Sequence, residues 1–147
     1  VFVAKKEVER IPVFGAAVRA CGHIYIDRGD RARALASLDV ARKRLEEAAP
    51  TVIIFPEGTR SNTGELGSFK KGAFVLAIQT GVSVVPAAIF GSRQVMKRGS
   101  FLINSGIVRV HFGEPIQVGG YSMENRARLT HRARQAVSEL QKHYEAS

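Results

Sequence analysis

The sequence has little cysteine and no long hydrophobic run. Cys21 is the single cysteine among 147 residues, which excludes an intrachain disulfide and a cluster of thiolate metal ligands within this sequence. No apolar run approaches the roughly 18 residues that a membrane-crossing helix needs. Hydrophobic residues nevertheless make up 45% of the chain, so these residues are expected to fold around an ordinary hydrophobic core.

Acidic residues are also scarce. Asp and Glu number 13 against 22 Lys and Arg, which gives a formal net charge of +9. This excess favours a polyanionic partner, and nucleic acid, an anionic membrane surface and a phosphorylated small molecule all qualify. The alternative is a basic surface that only keeps the protein soluble. By length, residues 1–147 are predicted to form one domain.

Strand and helix patterns alternate along the chain. We predict strands at residues 1–4, 23–26, 52–55, 82–90 and 106–112, and helices at 5–10, 12–21, 31–48, 70–80 and after Ser122. Such alternation is typical of an α/β fold with a mostly parallel central sheet flanked by helices. The run 52–55 is predicted to be the central buried strand. Pro86 indicates a bulge or an edge in the strand that contains it.

Periodicity also predicts which side chains face the core. The helix 70–80 should end at Gly81 and turn inward its residues Ala73, Phe74, Ala77 and Ile78. The last helix has an apolar stripe of Leu129, Ala133, Val137, Leu140 and Tyr144. Its basic residues, interpreted first as a solvated face and second as a membrane patch, are Arg126, Arg128, Arg132 and Arg134. In the strand 106–112, Arg109 and His111 should lie on the outer face, opposite Val108, Val110 and Phe112.

The most informative segment is Phe55-Pro56-Glu57-Gly58-Thr59-Arg60-Ser61, which directly follows the apolar run 52–54. It places a carboxylate, a flexible backbone and a guanidinium after a strand, and ligands of open α/β sheets bind at that edge. The planar fork of an Arg side chain makes two parallel charge-assisted hydrogen bonds to phosphate or carboxylate. The segment therefore predicts an anion-binding site.

Three segments together resemble sequence blocks of the glycerolipid acyltransferases, the lysophosphatidic acid (1-acylglycerol-3-phosphate) acyltransferase family. Residues 22–28 (GHIYIDR) resemble the second block, 55–61 (FPEGTRS) match the third, and 84–88 (VVPAA) resemble the fourth. Residues 2–7 and 69–74 also have the appearance of this family, so the resemblance runs from Val1 to at least Pro115. It implies a glycerol-3-phosphate acyltransferase-like fold.

One block of the family is missing. The catalytic signature of the family is a His, four arbitrary residues and an Asp, and none of the four histidines here fits it. His23 has Asp27 after it with only three residues between. We therefore expect no catalytic residue within this sequence, and expect the His and Asp to lie upstream of Val1 beside the membrane-binding helices of the family. By themselves, residues 1–147 are expected to be inactive.

The resemblance implies a reaction and its partners. The His of the family removes a proton from a glycerol hydroxyl, which then attacks the thioester of acyl-CoA or acyl-carrier protein, so that lysophosphatidic acid becomes phosphatidic acid. This chemistry needs no metal and no cofactor beyond the acyl thioester co-substrate. The expected partners are a lysophospholipid acceptor, the acyl donor and an anionic membrane surface, but not nucleic acid. The expected location is the cytoplasmic face of the cell membrane, reached through segments upstream of Val1.

The candidate substrate-binding residues in the third block are Glu57, Gly58, Thr59 and Arg60. Arg60 is predicted to bind the acceptor phosphate, with a salt bridge to Glu57 or Asp27 as the alternative. Glu57 is predicted to bind an acceptor hydroxyl or to position Arg60; alternatively it pairs with Lys70 or Lys71. Gly58 and Thr59 are predicted to offer backbone N–H groups and a hydroxyl, although Gly58 equally suits a turn alone.

Two further cations are candidates for the same phosphate. Arg28 matches the Arg of the second block, with pairing to Asp27 or Asp30 as an equal alternative. Lys5, at the end of the first strand, is a third candidate.

Other functions were compared with the same sequence features. A nucleic-acid-binding domain would explain the charge, but no helix-turn-helix or single-strand-binding signature is present. Residues 64–70 lack the spacing of a P-loop. A non-catalytic lipid-phosphate-binding module of the same fold is the more serious rival. Within the enzyme class, glycerol 3-phosphate and other lysophospholipids remain possible acceptors.

Overall fold

The structure is a computed structural model, and it describes residues 3–5, 16, 20, 24–26, 40, 42–43, 47, 51–61, 63–97, 99–100 and 102–145. The chain divides into two compact units, Val1–Phe55 and Pro56–Ser147. The expectation of a single domain over residues 1–147 stays a prediction.

The first unit contains a parallel pair of strands. Strand β1 (Val3–Lys5) pairs with strand β2 (Ile24–Ile26) in the register Val3↔Ile24 and Lys5↔Ile26. Both strands overlap the predicted strands 1–4 and 23–26. The prediction that a helix starts at Lys5 is wrong at that residue, because Lys5 still pairs within β1. The described residues of the predicted helices 12–21 and 31–48 are helical.

The segment before the third block is less buried than predicted. Ile53 forms a single bridge, and Val52 and Ile54 are half-buried. Ile53 and Phe55 are exposed, Phe55 to 54%. The prediction of a central buried strand at 52–55 is therefore wrong in its burial. Alternate residues of an extended segment point to opposite sides, and only the side of Val52 and Ile54 is partly covered.

The second unit is built on two helices that were predicted closely. Helix α1 (Gly72–Thr80) ends at Gly81, whose φ of 69° is left-handed, as a glycine C-cap should be. Its Phe74 joins a buried cluster with Val118, Leu129 and Ala133, and its other predicted core residues pack against that cluster. Leu129 and Ala133 belong to helix α3 (Arg126–Glu145). Leu129 is 0% exposed and marks the centre of this core.

The strands of the second unit run antiparallel. Strand β3 (Ala87–Phe90) leads through the short helix α2 (Ser92–Val95) to strand β4 (Arg109–Phe112), and these strands pair in the register Ala87↔Phe112. Beyond Pro86 the pairing continues as a bridge between Val84 and Ile116. The interruption at Pro86 agrees with its predicted role, since proline has no N–H to donate to a ladder. Of the two strand pairs described, only β1–β2 is parallel.

The face of β4 that was predicted to lie outside is the one that packs. His111 is half-buried, with its ring centroid 5.4 Å from those of both Phe90 and Tyr144. The rings of Phe90 and Tyr144 are stacked at 3.8 Å. Phe112, on the opposite face, is 72% exposed. The prediction of an outer His111 is therefore wrong, because the last turns of α3 cover that face with an aromatic ring.

The helices that the structure describes include none with both the length and the apolar character needed to cross a membrane.

Candidate functional site

The third block forms a turn followed by an exposed loop. Pro56 and Glu57 lie in a turn, and Gly58 has a φ of 75°, which side chains rarely tolerate. A turn-forming role for Gly58, which the sequence left open, therefore has structural support. Thr59 and Arg60 are exposed beyond it. A ligand in solvent can therefore approach Arg60.

Glu57 is held by the backbone of a later loop. Its Oε2 accepts a hydrogen bond of 2.8 Å from the N–H of Gly67. One residue earlier, the carbonyl of Pro56 accepts a 2.7 Å hydrogen bond from the N–H of Lys70. The contribution of Lys70 here comes from its backbone, whereas the sequence alternative invoked its ammonium group. Loop 66–70 thus fixes both the turn and its carboxylate.

The loop that holds Glu57 is in turn bound by helix α3. Arg134 donates from Nε to the carbonyl of Gly67 and from Nη2 to the carbonyl of Leu66, each at 2.9 Å. This guanidinium was interpreted from the sequence as part of a solvated or membrane-facing surface. Arg134 is exposed, as that interpretation expects. Its contact with the loop was not predicted, because 67 residues separate Arg134 from Gly67 and no local pattern joins them.

An open cavity lies beside this contact. Its volume is about 280 Å³, and its lining includes three basic side chains, those of Lys71, His131 and Arg134, besides the ring of Phe69. Basic groups around an apolar ring suit a ligand that carries both negative charge and hydrocarbon.

The candidates in the first unit are only partly described. Lys5 ends β1, where it pairs in register with Ile26. Arg28 and its alternative partners, Asp27 and Asp30, lie outside the described residues. The predicted roles of Lys5 and Arg28 at the phosphate therefore remain predictions.

No cluster of three or more metal-ligating side chains (His, Cys, Asp or Glu) occurs among the residues that the structure describes. The expectation that the chemistry needs neither metal nor cofactor stays a prediction.

Comparisons with known proteins point to one family. The sequence model of the family "Acyltransferase" matches residues 1–90. The chain is 41% identical over 116 residues to the chloroplastic 1-acyl-sn-glycerol-3-phosphate acyltransferase LPAT1 of Arabidopsis thaliana, covering 78% of this chain and 32% of that protein. It is 33% identical over 125 residues to the 1-acyl-sn-glycerol-3-phosphate acyltransferase of Haemophilus influenzae, covering 85% and 51%.

A solved structure shows the same fold. The crystal structure of the 1-acyl-sn-glycerophosphate acyltransferase PlsC from Thermotoga maritima matches with a TM-score of 0.74 and 30% sequence identity. The match covers 96% of this chain and 56% of that one. The predicted α/β acyltransferase fold is thereby confirmed at the level of the family. The chain spans between 32% and 56% of the length of these three proteins.

Proposed function

The chain belongs to the acyltransferase family, and from this we propose that it forms the acceptor-binding part of a lysophosphatidic acid acyltransferase of phospholipid biosynthesis. The reaction transfers an acyl group from acyl-CoA or acyl-carrier protein to lysophosphatidic acid and yields phosphatidic acid. The observation that carries the proposal is the third block. Its turn presents an exposed Arg60 three residues after Glu57, whose carboxylate accepts a hydrogen bond from the N–H of Gly67. The printed names of the relatives support the same reaction.

We assign the side chains of this loop to the acceptor. Arg60 binds the phosphate through its guanidinium fork. Glu57 accepts a hydrogen bond from an acceptor hydroxyl or positions Arg60, and Gly58 and Thr59 add backbone N–H groups and a hydroxyl. Arg28 and Lys5 are proposed as further cations for the phosphate. Holding the acceptor in line accounts for much of the rate in such a transfer, because it turns a bimolecular encounter into an oriented one.

The reaction needs a general base for the acceptor hydroxyl. The acceptor hydroxyl oxygen attacks the thioester carbonyl, the C–S bond breaks, and the hydroxyl proton passes through a general base to the departing thiolate. The family signature for that base, His-x-x-x-x-Asp, does not occur among residues 1–147. We therefore propose that these residues bind the acceptor but do not turn over by themselves. Neither a metal nor a cofactor is proposed.

Membrane association at the cytoplasmic face is part of the proposal. Leu102 and Ile103 are 69% and 71% exposed in the chain between α2 and β4. The segment 91–113 around them carries four Lys or Arg and no Asp or Glu. Exposed apolar side chains among basic ones suit an anionic lipid surface. No nucleic-acid partner is proposed.

We propose that residues 1–147 form a single domain with a mostly parallel central sheet. The family match supports the single domain, because residues 1–90 continue across the boundary between the two compact units. The parallel pairing of β1 with β2 supports a sheet that contains parallel strands.

The proposal is tested with the natural full-length protein and with residues 1–147. We expect the full-length protein to convert lysophosphatidic acid and an acyl thioester to phosphatidic acid. Residues 1–147 should bind lysophosphatidic acid without forming product. Acyl transfer by residues 1–147 alone would refute the proposal that the general base is the His of the His-x-x-x-x-Asp signature. If the full-length protein acylates no lysophospholipid, the proposal that it is an acyltransferase for such acceptors is refuted.

A second candidate function uses the same binding loop without catalysis. A lipid-phosphate-binding module of the same fold would bind lysophosphatidic acid in the same loop and would never release a thiol from acyl-CoA. Thiol release by the full-length protein separates the two functions. The same assay with glycerol 3-phosphate and other lysophospholipids identifies the acceptor.

A further inference from the structure

We infer that Arg134 is a positioning residue of the acceptor site, which acts on Glu57 through a single peptide group. This inference rests on the proposed function, because the acceptor site is the loop that contains Glu57 and Arg60. Arg134 itself lies on helix α3, far along the chain from that loop.

The guanidinium of Arg134 binds two successive carbonyls. Nε donates to the carbonyl of Gly67 and Nη2 to that of Leu66, both at 2.9 Å. Donors on one edge of a planar fork fix both the position and the direction of the groups that they bind. The backbone at 66–67 is therefore oriented by this one side chain.

The peptide group between Leu66 and Gly67 links the two charged residues. Its carbonyl oxygen, on Leu66, accepts from Arg134, and its N–H, on Gly67, donates to Glu57 Oε2 at 2.8 Å. A cation at the oxygen end polarises the amide and makes its N–H a better donor to a carboxylate. Arg134 thus strengthens, as well as aims, the hydrogen bond that holds Glu57.

The absence of a side chain at residue 67 permits this contact. A Cβ on Gly67 would lie 3.0 Å from Glu57 Oε2, closer than most Cβ contacts. The backbone of Gly67 does not have a left-handed φ, so its conformation does not require glycine. The close approach of the Glu57 carboxylate is the feature that favours glycine at this position. Residue 67 is therefore suited to hold Glu57 at this distance.

Buried neighbours on helix α3 anchor Arg134. Ala133, next to Arg134, and Val137, one turn later, are both buried in the core. Because α3 is anchored through these residues, the guanidinium is carried by a fixed element rather than by a second loop. These groups form a clamp that consists of Arg134, the Leu66–Gly67 peptide and Glu57.

The principal test compares Arg134→Ala with Arg132→Ala in the full-length enzyme. Arg132 is exposed on the same helix, so its replacement makes the same change in charge. We expect Arg134→Ala to raise the KM for lysophosphatidic acid by about three- to tenfold, because its hydrogen bonds are exposed and are screened by water and salt. Arg132→Ala should change it by less than about twofold. Arg134→Lys should recover part of the loss, because an ammonium can reach one carbonyl but cannot bind both as a fork.

A double-mutant cycle separates positioning from general support of the fold. In a Glu57→Ala background, which removes the acceptor of the Gly67 N–H, Arg134→Ala should raise KM far less than in the parent, because its effect passes through Glu57. Equal effects in the two backgrounds, or equal effects of Arg132→Ala and Arg134→Ala, would overturn the inference.

A second variant changes the contact between Gly67 and the Glu57 carboxylate. Gly67→Ala should raise the KM for lysophosphatidic acid while leaving the melting temperature nearly unchanged, because the Glu57 side chain can yield to the new methyl group. Gly119→Ala is its matched control, since a Cβ at Gly119 meets nothing within 4 Å. An unchanged KM in Gly67→Ala would count against the clamp.

Amide hydrogen exchange at Gly67 tests the clamp without any activity. Arg134→Ala should speed exchange at this amide, and Arg132→Ala should not. Faster exchange in a protein that does not acylate lysophosphatidic acid would support the clamp and refute the proposed function. Unchanged exchange in an active enzyme would refute the clamp alone.

Discussion

Replacement of Arg60 by Ala is the most direct perturbation of the proposed phosphate site. The side chain is exposed. The turn before it is held by the backbone bond from Lys70 to Pro56 and by the bond from Gly67 to Glu57. Neither bond uses the guanidinium of Arg60, so both remain available to hold the turn in the variant. The change in stability should stay within about 1 kcal/mol, the range for an exposed charged side chain that loses its surface contacts.

The effect on the reaction should be much larger. Hydrogen bonds to charged groups contribute about 1.5–3 kcal/mol, which corresponds to roughly 10- to 150-fold in kcat/KM. Since Arg60 is exposed and its charge is screened by water and salt, we expect the lower part of this range, about 10- to 30-fold. Arg60→Lys should retain the charge but not the fork, and should fall between the parent and Arg60→Ala.

The assay compares two acceptors in the full-length enzyme. Lysophosphatidic acid carries the phosphate, and monoacylglycerol offers the same hydroxyl chemistry without it. Arg60→Ala should lower kcat/KM for lysophosphatidic acid and leave that for monoacylglycerol nearly unchanged, and the difference should shrink at high salt. An equal loss with both acceptors would refute phosphate binding by Arg60. Loss of the folded state in the variant would refute the claim that the bonds from Lys70 to Pro56 and from Gly67 to Glu57 are enough to hold the loop.

Three further predictions concern the fold and the membrane. Leu129→Ala should lower the free energy of unfolding by about 3–4 kcal/mol in a urea titration, because this side chain is fully buried in the core; a loss below about 1 kcal/mol would mean that the core is elsewhere. Gly91→Ala should destabilise far more than Gly99→Ala in the same titration, since both residues have a positive φ but only at Gly91 would the new Cβ meet a carbonyl, that of Ile107; equal losses would contradict this close approach. Replacing both Leu102 and Ile103 by Ser should weaken sedimentation of the full-length protein with vesicles of equal parts phosphatidylcholine and phosphatidylglycerol by about tenfold or more, with little change in stability. Undiminished sedimentation would exclude this segment as a membrane contact.

Some features of this protein follow from patterns within a few neighbouring residues. The apolar stripe of helix α3, the glycine stop of helix α1 at Gly81 and the interruption at Pro86 were all predicted, because each depends on local periodicity or on the φ and hydrogen bonding of one residue. The third block was likewise recognised from consecutive residues, and the family that it indicated is confirmed.

Other features depend on which elements pack together. The antiparallel direction of β3 and β4 was missed, because α/β alternation predicts parallel neighbours and says nothing of a return through a short helix. His111 was assigned to the outer face, since alternation gives two faces but does not say which one a distant aromatic ring such as Tyr144 will cover.

The sequence by itself determined the class of site, because a strand followed by a Pro, Glu, Gly, Thr and Arg is a local chemical pattern. Only the tertiary structure decided how the carboxylate of that pattern is held. Arg134 reaches the Leu66–Gly67 peptide from a helix 67 residues later than Gly67. Their contact exists because the apolar stripe of that helix is buried in the core, which places its polar side against the loop. Hydrophobic burial is not specific to one partner, so the partner of Glu57 emerges only when the whole second unit is packed.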